Sequence, residues 1–219
     1  MQGHHKSDGY SPYRKLESDA YPHITRIPCL QHIKRKFIDC GEKEPDAKRI
    51  VELINALYQN EHKHKVGVEG WTVEQNLMHR KKYAPDILGE IKDVLDEIEE
   101  RGDLLPKSEL QEAITYLRNE WNAVVDIFNY GDTYLDNNMV ERMNRYISLS
   151  RKNSLFFGSH KGAERGAILY TIALTCRMHK VNLFEYLTDV INRTAEWQPN
   201  TPIEKYRELL PDRWEKAND

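Results

Sequence analysis

Asp136-Asn137-Asn138-Met139-Val140-Glu141-Arg142-Met143-Asn144-Arg145, followed closely by Arg151-Lys152-Asn153-Ser154-Leu155-Phe156-Phe157-Gly158-Ser159, is the most informative stretch of this 219-residue sequence. Residues 136–147 read as a helix, and 148–162 as a loop or short extended segment. Five Lys or Arg side chains and no Asp or Glu fall between Arg142 and Ala163, in a chain whose formal net charge is −3. Glu141, Arg142 and Arg145 lie within about one helical turn. A carboxylate among arginines suits a site that holds a metal ion while phosphates are gripped nearby. The same spacing has a plainer reading. Asn138-x-x-Glu141 fits an N-capping pair, in which the glutamate reaches back to the cap amide, and the two arginines fit a solvated helix face. The spacing alone leaves both open.

Outward from this block the sequence is mostly helical. Ile50, Leu53, Ile54 and Leu57 recur at three- and four-residue intervals and share one helix face. The polar run His62-Lys63-His64-Lys65-Val66-Gly67 ends that helix and reads as a solvated loop. A long helical pattern follows from Thr72 to Arg101, with Pro85 expected to kink or split it. Its second half carries the stripe Ile87, Ile91, Val94, Leu95, Ile98. Gly102-Asp103 stops it. Ser108-Glu109-Leu110-Gln111 reads as a capping box opening a further helix with Ile114, Leu117, Trp121, Val124, Val125 and Phe128. Two such helices with a short connection are expected to pack antiparallel. Further helices are expected over 162–179 and 182–196, with one short helix in the tail. Only two places read as strand. Ile24 to Leu30 has β-branched residues and alternation, with Pro28 marking an edge or a strand end. Gly3 to Ser7 reads as the tail of a second strand, before the Asp8-Gly9 turn signal.

Composition bounds the function. With 39% hydrophobic and 31% charged residues, 11 Gly and 9 Pro, the chain is neither collagen-like nor low-complexity. No apolar run approaches the ~18 residues of a membrane span, and no secretory signal is visible. Three widely spaced cysteines make no disulfide framework. A cytoplasmic location is the expectation. The charge balance excludes a globally basic nucleic-acid binder but not a local basic patch. Cys29-x-x-His32 has half the spacing of a zinc site, and no second pair follows it. Trp71, Trp121 and Trp197 read as packing anchors. Gly158, Gly162 and Gly166, four residues apart, read as close helix packing, with close approach to a DNA backbone as the minor reading.

The 137–159 block resembles the C-terminal signature of the insertion sequence 66 family of DDE transposases: an Asn-Asn-x-x-Glu-Arg-x-x-Arg run, then Arg-Lys-Asn-x-Leu-Phe-x-Gly-Ser. Upstream, Ser7-Asp8-Gly9-Tyr10 and Tyr13 resemble the family's segment around its second catalytic Asp. Cys29-Leu30-Gln31-His32-Ile33-Lys34-Arg35-Lys36-Phe37 resembles its Cys-x-x-His-x-Arg-Arg-x-Phe element. The resemblance implies a ribonuclease-H-like core in which three carboxylates share two divalent metals, with Mg²⁺ suited to hard oxygen ligands. The metals activate a water or a 3′-hydroxyl for in-line attack on a phosphodiester. Asp8 and Glu141 map onto the second and third carboxylates, as catalytic residues and metal ligands. Arg142, Arg145, Arg151, Lys152 and Asn153 are the implied DNA contacts, and His32, Arg35, Asn137 and Asn138 the supporting residues.

The expected fold is therefore mainly α: the second half of a ribonuclease-H-like α/β core, interrupted by a large helical insertion. Residues 1–43 are expected to form the partial core and 44–130 the insertion. Residues 131–196 then supply the core helices with the Glu, and 197–219 the tail. The fold calls for three strands before Asp8, the first bearing the first catalytic Asp, and only seven residues stand there. The expectation is a truncated transposase, inactive as a fragment. In the intact protein it acts on transposon ends and target DNA as a homo-oligomer, with no membrane partner. The alternative is a non-catalytic helical DNA-binding or oligomerisation remnant. A helical scaffold is the blandest reading.

Overall fold

The computed structural model of the chain describes residues 3–7, 20–63, 70–154 and 156–215. Two strands, β1 (Gly3–Ser7) and β2 (Ile24–Pro28), pair in parallel, with Gly3 opposite Ile24 and Ser7 opposite Pro28. All other regular elements are helical: α1 (Leu30–Asp39), α2 (Pro45–Lys63), α3 (Val73–Arg101), α4 (Glu109–Ile127), α5 (Asn138–Asn153), α6 (His160–Met178), α7 (Leu183–Ala195) and α8 (Ile203–Glu208). A mainly helical chain with a small parallel sheet is consistent with an incomplete ribonuclease-H-like fold carrying a helical insertion. No helix among the described residues is long and apolar enough to cross a membrane.

The chain divides into two compact units, residues 1–139 and 140–219. In the first unit, α2, α3 and α4 run up, down and up. Asp46 at the start of α2 pairs with Arg101 at the end of α3, and Glu61 near the end of α2 meets Arg80 in the first half of α3. On the other side, Arg118 of α4 pairs with Asp96 and Glu99 of α3. The expected antiparallel helices are present, and α2 extends the pair to three. One apolar core joins these helices to β2 and α1. It includes Ile27, Leu30, Ile33, Phe37, Ile54, Leu57, Leu95, Ile98 and Leu117. Leu30, Ile33 and Phe37 recur every three or four residues and give α1 its buried face.

Three local expectations need correction. Pro85 does not split its helix: α3 is a single run of 29 residues. The carbonyl of Lys81 loses its helical partner to the proline. Lys81 and Pro85 both lie on the exposed side of the helix, while Ala84 and Leu88 hold it from its buried side. Residues 148–153 are not loop but the last turns of α5. There Ser148 Oγ donates back to Asn144 O at 3.1 Å, Ser150 shares a hydrogen bond with Tyr170, and the Arg177 guanidinium lies 4.0 Å from the Tyr146 ring centroid. At Ser108 half of the box forms. Ser108 Oγ accepts from Gln111 N at 3.2 Å, whereas the Gln111 side chain reaches one residue further back, to the Lys107 N–H. The complete box sits at Thr72 and Gln75, where α3 begins.

The second unit buries little. α5 has no buried residue, and α6 buries Cys176 alone among those described. Tyr186 anchors the C-terminal part by donating to Leu209 O at 2.8 Å and meeting the Trp214 ring edge-on. The glycines before and within α6 do not serve helix–helix packing. A side chain at Gly162 would strike the Phe157 carbonyl, and one at Gly166 would strike the Phe157 ring. The groove they leave seats a loop aromatic. Trp197 packs on Tyr206 with ring centroids 4.8 Å apart.

Candidate functional site

The parallel pair positions the candidate site. In open α/β sheets, ligands sit outside the carboxyl ends of the strands. Here those ends are Ser7 and Pro28. The chain beyond them is fixed by two backbone bonds: Cys29 N donates to Ser7 O at 3.0 Å, and Leu30 N donates to Leu135 O at 3.0 Å. The second bond lays residues 135–137 against the first turn of α1. Leu135 is buried in the core, and Asp136 Oδ1 accepts from Asn138 N at 3.0 Å, turning the chain into α5.

Several polar groups gather there. Ser7 is 3% exposed, and its Oγ, the Asn137 Oδ1 and the Lys6 Nζ are buried with no hydrogen-bond partner among the described residues. Burial lowers the Lys6 pKa to about 8, against the pull of Cys29, Asp136 and Glu61 and with Arg80 adding to the lowering. Burial pushes the Tyr58 hydroxyl up, and the Asp136 carboxylate beside it adds to the shift. Burial likewise raises the Cys29 thiol, while the backbone of Asn137, His32 and Gln31 hydrogen-bonds toward it. His32 is half-buried and Arg35 exposed on α1.

Asp8 and Leu155 lie outside the described residues. Glu141 is exposed in the first turn of α5, in the second unit. Arg142, Arg145, Arg151, Lys152 and Asn153 are exposed along the same helix, and Asn137 and Asn138 are half-buried at its start. Among the described residues, no group of three His, Cys, Asp or Glu is arranged to hold a metal. Asp136 is the carboxylate at the strand ends; its Oδ1 is taken by the Asn138 N–H, and its charge acts on the Tyr58 hydroxyl. The described residues alone therefore do not make a divalent-metal site, and Cys29 with His32 gains no further ligands.

Sequence reasoning missed the groups that hold this region. Arg80, on α3, is fully buried. Its Nε and Nη2 each donate to a Glu61 carboxylate oxygen at 2.7 Å, Nη1 donates to Ile127 O, Tyr130 O and Thr133 Oγ1, and Nη2 also donates to Thr133 O at 2.6 Å. Tyr83 donates to the same Glu61 at 2.7 Å. Arg26 of β2 and Glu120 of α4 form a second buried pair at 2.7 Å. The legible signal was register. Arg80 stands four residues before Ala84 in the apolar stripe of α3, and Glu120 stands between Leu117 and Val124 in that of α4.

No solved structure matches the chain. Two curated Sinorhizobium fredii proteins, named Uncharacterized protein y4hP and Uncharacterized protein y4jD, are each 28% identical to it, over 96% and 94% of this chain and 39% and 40% of their own length. The chain thus spans about two fifths of the relatives it matches. The model of the family described as "Transposase IS66 family" matches residues 1–165, and the chain belongs to that family.

Proposed function

We propose that this chain is the part of a DDE transposase that supplies the second and third catalytic carboxylates, Asp8 and Glu141, to DNA transposition. One observation carries the reading beyond family membership. The segment that leads into the Glu141 helix is tied to the carboxyl ends of a parallel strand pair, and the first of those strands runs in sequence directly into Asp8. Residues 1–43 and 131–196 then belong to the ribonuclease-H-like core, 44–130 to its insertion, and 197–219 to a tail. Arg142, Arg145, Arg151, Lys152 and Asn153 grip DNA backbone along the exposed face of α5, while His32, Arg35, Asn137 and Asn138 support the site.

In the intact protein, Asp8, Glu141 and a third carboxylate would hold Mg²⁺, which would supply Lewis acidity for phosphodiester cleavage and strand transfer. This chain matches two of those three carboxylates. Its partners are transposon ends and target DNA, bound by a homo-oligomer.

DNA binding measured from 50 to 200 mM salt tests the basic face. Replacing Arg142, Arg145 and Lys152 with Ala should weaken binding and flatten the salt slope by about 0.9 for each phosphate no longer neutralised. An unchanged slope, or no binding by the parent chain, removes DNA from the reading and leaves a helical scaffold. In a full-length version, Glu141→Gln should abolish Mg²⁺-dependent cleavage; retained cleavage removes Glu141 from the catalytic set.

A further inference from the structure

We infer that Arg80 and Glu61, on the helical insertion, are positioning residues that hold the Leu135–Asn138 segment at the strand ends. For its functional half, this inference rests on the transposase reading.

The argument starts from the cost of a buried guanidinium. Arg cannot deprotonate, so a fully buried Arg must satisfy its donors within the protein. Glu61 takes two of them in a bidentate pair. That pair alone needs nothing from the rest of the chain. The remaining capacity is spent on residues 127–133: the carbonyls of Ile127, Tyr130 and Thr133 and the Thr133 hydroxyl, which itself donates to Ile127 O at 3.1 Å. One side chain therefore closes the whole turn between α4 and the site.

Other groups of α3 grip the same turn. Asn76 is buried and donates to Gly131 O at 2.6 Å. Gly131 packs so closely on the Val73 carbonyl that a Cβ there would overlap it. Tyr83, bound to Glu61, meets the Phe128 ring edge-on. Two residues past Thr133, Leu135 O takes the Leu30 N–H, and Asp136 turns the chain into α5. A core satisfied by apolar packing would need no such arrangement. The charged pair in the insertion fixes the path of a loop, and that path ends where α5 begins.

Two adjacent amides separate this role from general stability. Leu30 N–H is held by Leu135 O, at the end of the clamped segment, whereas Cys29 N–H is held by Ser7 O of β1. The test is residue-resolved hydrogen exchange on the full 219-residue chain. Arg80→Lys keeps a positive charge facing Glu61, but a single ammonium cannot span three backbone acceptors. Gly131→Ala leaves Arg80 intact and pushes the turn off Val73, so it serves if the first variant does not fold. Each should speed exchange at Leu30 and Asn138 about tenfold or more while Cys29 stays within twofold. Equal acceleration at Leu30 and Cys29, or none at either, overturns the inference.

In a full-length version, the same variants should lower cleavage at saturating DNA at least tenfold and leave DNA affinity within twofold. Full cleavage by Arg80→Lys overturns the functional half. If the unmodified full-length protein cleaves nothing, the transposase reading fails, and the exchange result still decides the clamp.

Discussion

Glu120→Leu is the sharpest test of how the insertion is joined to the sheet. Glu120 of α4 is fully buried, and its Arg26 partner on β2 is 5% exposed, with 2.7 Å between the charged atoms. Removing the carboxylate takes its 2.7 Å ion-pair partner from a buried guanidinium that cannot deprotonate. Breaking such a pair from one side costs about 3–5 kcal/mol. At roughly 2–4 °C per kcal/mol for a chain of this size, the melting temperature of the first unit should fall by about 6–20 °C. The charges themselves are not the source of stability. Replacing both partners by apolar residues, Arg26→Met with Glu120→Leu, should recover most or all of the loss, because both buried charges are then removed together. The assay is urea unfolding of the two singles and the double, followed by far-ultraviolet circular dichroism and by the fluorescence of Trp121, next to Glu120 in sequence. A loss below ~1 kcal/mol in Glu120→Leu would refute the argument, since breaking a buried pair from one side costs more than that. Additive losses in the double would refute it equally, by showing that the two side chains act independently.

Arg118 provides the contrast: it is partly exposed and pairs with Asp96 at 2.7 Å and Glu99 at 3.0 Å. Arg118→Ala should cost no more than about 1 kcal/mol in urea unfolding, and the cost should shrink with added salt. Gly166→Val drives a branched side chain into the Phe157 ring. It should destabilise the second unit by about 1–3 kcal/mol in thermal unfolding, and Phe157→Ala in the same chain should relieve part of that loss. Lys6 has a folded pKa lowered to about 8. Between that pH and the ordinary lysine value the unfolded chain binds more protons, so this residue makes stability rise with pH. Lys6→Met should therefore gain most over the parent near pH 7 and least near pH 10 in paired urea titrations, and a gap that stays constant with pH would reject the assignment.

Helix content was legible because the apolar stripes have a helical period, and Ser108 marks where α4 starts. The two strands were legible as short runs, but their parallel pairing was not, since nothing in either run specifies a partner. Pro85 misled because the rule against helix-interior proline ignores which face it occupies. The end of α5 misled for a related reason. Ser148, Ser150 and Asn153 favour turns in isolation, and here Tyr170 and Arg177 on α6 supply what local propensity does not. The Glu141 and arginine motif was visible because it is a short contiguous run of residue identities, on which the family resemblance rests. The Arg80 clamp was not, because its partners on the turn are mostly carbonyls, which any residue supplies. Only the loop geometry makes them converge.

The buried charges also bear on what the insertion is. A helical excursion that packed on itself would need no polar link to its surroundings and would carry its own core. Neither holds here. Ile27 of β2 and Leu30, Ile33 and Phe37 of α1 lie in one apolar cluster with Ile54, Leu95 and Leu117. Each fully buried charge on the long helices ties outward as well: Glu120 to β2, and Arg80 to the turn that leads to α5. Apolar packing tolerates sliding by a fraction of an ångström, since its energy varies smoothly with area. A buried guanidinium does not, because each misplaced acceptor strands a donor at a cost of ~1–3 kcal/mol. Placing the two polar ties at β2 and at the turn that follows α4 thus confines precision to those two places, while the rest of the insertion needs only to fill space.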